Sequence, residues 1–260
     1  MEIPEPVRRL ARDPFRELPK PRSSRRVELP GAVISISPYP NAQTAFPTGD
    51  DMDVGAAVDA ARTAAREAGK ETIGWWLVSE HAELYGAQFE ELGVRNEDTP
   101  GFEAVENGLA LVEPPVGERV EGVEVRLVET FEDFRAGAQV AAECFGLPEV
   151  PEEQHRARFE DYLADDFGRS FIGIVNGTVV GAAFAAFADA GLNLFGGSVV
   201  PGARGRGVYR ALLFARWDFA VERGTPALTV QAGRMSRPIC ERLGFRFVDA
   251  SRVYVDTVPC

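Results

Sequence analysis

The sequence predicts an α/β fold of the α+β kind, in which strands and helices follow one another along most of the chain. Three observations carry this. Apolar runs of strand length alternate with segments whose apolar residues recur at helical spacing. Hydrophobic residues make up 45% of the 260 and charged residues 26%, the balance of a globular chain rather than a disordered, collagenous or coiled-coil one. A step in composition at Pro114-Pro115 and Gly117 marks a linker between two units.

The net charge of −12 is unevenly spread. Residues 1–30 carry +3 and six of the 18 prolines, which predicts an arm that lies along a surface or frays. Residues 31–120 carry −11 and residues 121–260 carry −4, so we expect domains at 31–120 and 121–260 behind that arm. No stretch approaches the roughly 20 apolar residues that cross a bilayer, and the start has no apolar signal core. Cys144, Cys240 and Cys260 are too few and too odd in number for a disulfide framework. A soluble, reduced, cytoplasmic protein is expected, with no membrane partner. An acidic chain repels a phosphate backbone, so no nucleic acid is expected either. His81 and His155 have no Cys or His at ligand spacing, which argues against a metal site and predicts solvated side chains.

The elements follow in order. Val33 to Ile36 reads as a strand that stops at Pro38 and Pro40. Asp50, Asp51 and Asp53 precede a helix whose face is Val54, Val58, Ala61, Ala65 and Ala68, closed by Gly69. TIGWWLV is a buried strand in which one of Trp75 and Trp76 faces inward. AELYGAQFEELG is a helix ending at Gly93. In the second half VEVRLVE is a strand, and Thr130 with Asp133 caps a helix whose face is Phe131, Phe134, Ala138, Ala141 and Phe145. Residues 151–165 form a charged helix anchored by Phe159 and Tyr162. Two apolar runs around Asn176-Gly177 form a hairpin with a type I′ turn. LNLFGGSVV is the next strand, and Gly196-Gly197 within it predicts a bulge or a close approach by a ligand. A helix with Val208, Leu212, Ala215 and Phe219 on one face, the strand PALTVQA, the short helix SRPICERLG and a final strand or hairpin complete the order β-α-α-β-β-β-α-β-α-β.

The chemistry is concentrated in VVPGARGRGVYR, residues 199–210. A strand ends, a glycine-rich loop follows and a helix opens. The first amides of a helix have no partner within it, and the helix dipole favours negative charge there. Arg204, Arg206, Arg210 and Arg216 add four cations in an acidic chain. That local reversal of sign predicts an anion, with a pyrophosphate as the natural candidate. A phosphate loop of the GxxxxGK[ST] type is absent, and Gly205-x-Gly207 is followed by Arg210 rather than the glycine of a dinucleotide fingerprint.

Val199, Pro201, Arg204, Gly205 and Gly207, followed by Tyr209 in the last small-residue position, resemble motif A of the GCN5-related N-acetyltransferases (GNAT family). The order of elements resembles that family too, as does Ile239-Cys240-Glu241-Arg242-Leu243-Gly244-Phe245 at a helix end. The resemblance covers about residues 123–258 and implies a GNAT fold with a mixed central sheet. It implies that the backbone of Val199 and Val200 pairs with the pantetheine arm of acetyl-CoA. Amides from Arg204 through Gly205, Arg206, Gly207, Val208, Tyr209 and Arg210 would hold the pyrophosphate. Gly196-Gly197 would lie where the sheet splays to admit the thioester. An amide near Val199 or Val200 would stabilise the oxyanion. The implied reaction is transfer of an acetyl group to the primary amine of a small molecule or peptide by direct attack.

The chain departs from the family at two places. A family tyrosine that protonates the leaving thiolate is replaced by Cys240, which reads either as a general acid or, more ordinarily, as a small buried residue. The strand before the loop has no carboxylate to act as base. Tyr209 either narrows the cofactor site or packs. Residues 54–93 echo 207–244, which predicts a degenerate GNAT-like first domain whose aspartates stand where the second has arginines. A non-catalytic acyl-CoA-binding regulatory module is the alternative, and either a monomer or a homodimer is compatible with the chain.

Overall fold

The computed structural model describes residues 2–38, 43–99 and 103–258, so the predicted stop at Pro40 and the thiol of Cys260 lie outside it. The chain begins with helices α1 (Glu5–Arg12) and α2 (Pro14–Glu17) and strands β1 (Arg25–Leu29), β2 (Ala32–Ile36) and β3 (Thr44–Pro47). Helix α3 (Val54–Glu67), strand β4 (Thr72–Leu77), helix α4 (Ser79–Glu91) and strand β5 (Val105–Leu111) complete the first half. The second half runs β6 (Glu124–Leu127), α5 (Phe131–Phe145), α6 (Glu152–Ala164), β7 (Gly168–Val175), β8 (Thr178–Ala188) and β9 (Gly191–Val199). It ends with α7 (Val208–Glu222), β10 (Leu228–Ala232), α8 (Arg237–Arg242) and β11 (Arg246–Thr257). This is the predicted order of the second half, element for element.

All eleven strands form one mixed sheet, β1-β2-β3-β4-β11-β5-β10-β9-β8-β7-β6. The two halves mirror each other across the β11–β5 pair. Parallel β3 and β4 with α3 between them correspond to parallel β9 and β10 with α7 between them. The halves exchange their last strands. β5 lies between β10 and β11, and β11 lies between β4 and β5, all antiparallel. The Pro114-Pro115 linker is thus a break in the chain but not in the sheet.

The N-terminal arm lies along the sheet, one of the two outcomes expected, but as a helix rather than as irregular chain. Pro4 is the N-cap of α1 and Pro6 lies in its first turn, where a missing N–H costs nothing. The helix buries Val7, Leu10 and Ala11 against the centre of the sheet. Gly108 on β5 makes this possible, because a Cβ there would stand 2.1 Å from the carbonyl oxygen of Ala11. No strand was expected at residues 105–111, where β5 forms. Phe15 after α1 packs on Trp76, with ring centroids 4.8 Å apart, while Trp75 is wholly buried. One indole points to each face of β4.

Elsewhere the local signals hold. Asn176 and Gly177 both have positive φ, 50° and 75°, as a type I′ turn requires. The face of α3 is buried at Val54, Ala57, Val58, Ala61, Ala64 and Ala65. Phe159 and Tyr162 of α6 pack at a tilt against Phe134, and the Tyr162 hydroxyl donates to Val128 O at 2.8 Å. Helix α5 is rotated from its predicted face. Val140 is its buried residue and Gly137 sits over Ile172, while Phe145 is exposed at the C-terminal end.

Candidate acyl-donor site

The site begins where the sheet opens. Parallel β9 and β10 pair only through Leu192–Leu194 and Leu228–Val230. Beyond that point β9 continues bonded to β8 alone, with Gly181 opposite Val199 and Ala182 opposite Ser198. The predicted bulge lies here. Register shifts between Ala182 and Phe184, and Gly196 takes φ +58°. Val200 gives its amide to Val180 O at 3.0 Å. Alternation along an antiparallel pair therefore turns the Val199 amide toward the gap. The guanidinium of Arg204 donates to Val199 O at 3.2 Å.

After β9 the chain makes a 3₁₀ turn, Pro201–Ala203, closed by the Arg204 amide on Pro201 O. Gly205 and Gly207 then adopt φ +77° and +81°, and Gly207 caps α7 with no side-chain hydrogen bond. The first loop amide bonded back is Ala211, to Gly207 O at 2.9 Å. Among the described residues, the amides of Gly205 through Arg210 have no backbone partner. Arg204 and Arg206 are exposed beside them, and Arg210 is half-buried. The matching helix of the first half is closed to an anion, because Asp53 caps α3 by accepting from the Ala56 amide at 2.9 Å. Its neighbour Asp50 lies 3.1 Å from the Nε2 of His81. His81 is buried rather than solvated, held between Asp50 and the ring of Tyr85. The other histidine, His155, is partly sheltered, and burial with nearby Arg158 and Arg135 holds its pKa down.

Tyr209 and Cys240 meet on the α7–α8 side of the gap. The Tyr209 ring lies against Gly197, where a Cβ would stand 2.8 Å from it, and the hydroxyl is 3.6 Å from the Cys240 sulfur. Cys240 is fully buried, and that burial pushes its thiol up from the usual range. Burial does the same to the Tyr209 phenol, while Arg216 pulls it down. Arg216 departs from the sequence reading. It does not join the loop's cationic surface but is buried beneath the sheet, 1% exposed. Its Nε donates to Leu212 O at 3.1 Å and its Nη1 to Phe184 O at 3.4 Å. No periodicity marked it as internal, because arginine is read as surface wherever it falls.

Sequence reasoning also missed Glu106. β5 runs antiparallel to β10 and brings its N-terminal end to the end of the sheet where β9 and β10 part. Alternation puts Glu106 on the face of Gly108, opposite α7. Burial, with Glu103 nearby, pushes its carboxyl up to about 8. An unfolded chain releases this proton near 4.5, so the folded state holds it over the interval between. Stability is therefore lost as pH rises from about 5 to 8. Glu106→Gln is expected to match the wild type in melting temperature at pH 5 and to exceed it by several degrees at pH 9, measured by circular dichroism. Equal melting temperatures at both pH values would contradict this.

Residues 134–245 match the model of the acetyltransferase (GNAT) family. The matched residues run from α5 to the end of α8 and include the loop before α7. No curated protein matches. Among solved structures, the chain resembles a GCN5-related N-acetyltransferase from Kribbella flavida at 18% identity and TM-score 0.66, over 96% of this chain and 95% of that one. It resembles another from Sphaerobacter thermophilus at 17% identity and TM-score 0.62, over 89% and 82%. A tandem GNAT protein from the clavulanic acid biosynthesis pathway matches at 11% identity and TM-score 0.62, over 98% and 88%. These likenesses extend the GNAT fold over nearly the whole chain, so the β1–β5 half is GNAT-like as well.

Proposed function

We propose that the chain is an acetyl-CoA-dependent N-acetyltransferase acting on the primary amine of a small molecule or peptide. The observation that carries this is an uncapped 15-residue helix start, with the free amides of Gly205 through Arg210, standing beside a parted pair of parallel strands. These residues fit the donor. The loop amides and the cations of Arg204 and Arg206 suit a diphosphate, and Pro201 and Val208 fix the ends of the loop. The open edge of β9 suits an amide-bearing arm, and the Val199 amide is the donor available to a developing oxyanion. The protein would hold the thioester in the gap and exclude water from it, and an amine entering from the α1 face would attack directly. Glu106 is the carboxyl at that end of the sheet that we assign to receive the amine's proton, since a base acts best with a pKa near the working pH.

The test is twofold. Coenzyme A at a hundredfold excess over its dissociation constant should stabilise the fold by about 2.7 kcal/mol. Thiol release from acetyl-CoA should appear across a panel of aminoglycosides, polyamines, amino acids and peptides. Stabilisation without release on any amine would favour an acyl-CoA-binding regulatory module. Neither response would overturn the reading.

A further inference from the structure

The last parallel pair before the gap is Leu194 with Val230, and both side chains belong to the core that Val208 and Leu212 of α7 share. The next residues on the two strands, Phe195 and Gln231, therefore point to the opposite face, where α1 lies. They are the two lips of the gap on that side, and the N-terminal arm touches both. Gln231 donates its Nε2 to Ala11 O at 2.6 Å, and the Phe15 ring lies 6.4 Å from that of Phe195.

The bond to Ala11 fixes the side-chain amide of Gln231. A flipped amide would set two carbonyl oxygens against each other. Its Oε1 is thus an acceptor, and this buried atom has no hydrogen-bond partner among the described residues. An unpaired buried acceptor is costly, so the position suits a ligand that brings an N–H. The neighbouring side chains suit what would carry that N–H. Phe15 packs on Trp76 and faces Phe46 as well as Phe195. Phe15, Trp76 and Phe195 each keep part of their surface exposed, so the arm and both halves contribute to one aromatic wall. Positive charge surrounds it. Arg26 lies over Phe46, 6.0 Å from the ring centroid, and Arg16 is exposed next to Phe15. A polycation is repelled by such a wall, whereas a flat apolar group packs on it.

Resting on the transfer reading above, we propose that the acceptor is a primary amine carried on an aryl group, with Phe15 and Phe195 holding the ring and Gln231 Oε1 accepting from the amine. Gly108 is the partner of Gln231 across β5 and β10, so Glu106 stands diagonally from Gln231 on the same face. The nitrogen lone pair bonds to the acyl carbon, and the carbon–sulfur bond breaks with its electron pair on sulfur. One N–H proton passes to the Glu106 carboxylate. The other stays on nitrogen, held by Gln231, and becomes the N–H of the product amide. Sulfur leaves as the thiolate and is protonated by water. The bond to Gln231 strengthens as positive charge develops on nitrogen, so it acts on the rate as well as on orientation.

The experiment measures thiol release from acetyl-CoA by the full-length wild type, Phe15→Leu and Gln231→Met. The amines are 2-phenylethylamine, its N-methyl derivative, butylamine and spermidine. The wild type should favour 2-phenylethylamine over butylamine and spermidine by about tenfold or more in kcat/KM. It should favour it over the N-methyl derivative by a similar factor, because a secondary amine that gives up its proton has no N–H left for Gln231. Phe15→Leu keeps apolar bulk and should raise KM for 2-phenylethylamine several-fold, with butylamine and KM for acetyl-CoA unchanged. Gln231→Met has similar volume and should lower kcat for 2-phenylethylamine about tenfold. It should leave the N-methyl derivative as it was, which loss of the Ala11 bond alone would not do. Turnover of another amine in preference to 2-phenylethylamine, or a primary-amine preference that survives in Gln231→Met, would overturn the proposal while leaving the transferase reading intact. Absence of thiol release by the wild type on these and the wider panel of amines would overturn both.

Discussion

Produced separately, residues 1–113 and residues 114–260 are expected to be unfolded, and produced together they are expected to assemble into one soluble particle. The reason lies in the exchanged strands. Both neighbours of β5 belong to the second piece, and both neighbours of β11 belong to the first. Cutting the linker leaves each piece with a bare sheet edge and a strand without partners, and every unpaired buried backbone group costs free energy. The second piece also loses α1, whose Leu10 and Ala11 are fully buried. The linker itself holds to α7 and α8. Arg119 makes a bidentate pair with Asp218 at 2.7 and 2.8 Å, and Val116 donates its amide to Leu243 O. A chain nicked after Glu113 should therefore stay in one peak on native size exclusion and melt as one cooperative unit. A second piece that folds alone, with dispersed amide resonances, would show that the exchange is dispensable.

Arg204→Glu combined with Arg206→Glu should abolish the stabilisation by coenzyme A, weakening binding by more than about a hundredfold, with the unliganded melting temperature little changed. Both side chains are exposed, and neither takes part in an ion pair among the described residues. Removing them costs the fold little. For a bound diphosphate the same change turns two attractions into two repulsions beside a helix start that no side chain caps. The control is Asp53→Ala at the start of α3. It should cost about 1 kcal/mol of stability through loss of a cap and leave the response to coenzyme A as it was. A double variant that still responded to coenzyme A would move the donor site away from this loop.

Local physics made much of this protein legible. The Asn176-Gly177 turn, the caps at Asp53 and Thr130, and the run from Val199 to Arg210 are each decided by neighbours within a few residues. A cap needs only its own N–H, and a glycine loop needs only φ values that other residues resist. The helical arm is an intermediate case. Proline density suggested irregularity, yet α1 forms because Pro4 and Pro6 fall where a helix tolerates them and because the sheet supplies a surface for Val7, Leu10 and Ala11.

By itself the sequence determined the order of elements in the second half and the glycine-rich turn into α7, since both rest on short-range periodicity and backbone conformation. Only the tertiary structure decided that β5 and β11 trade places, that Arg216 lies buried, and that Glu106 stands at the open end of the sheet. Strand pairing and burial join residues more than a hundred positions apart, and the period of a strand says which residues share a face without saying which strand lies beside it.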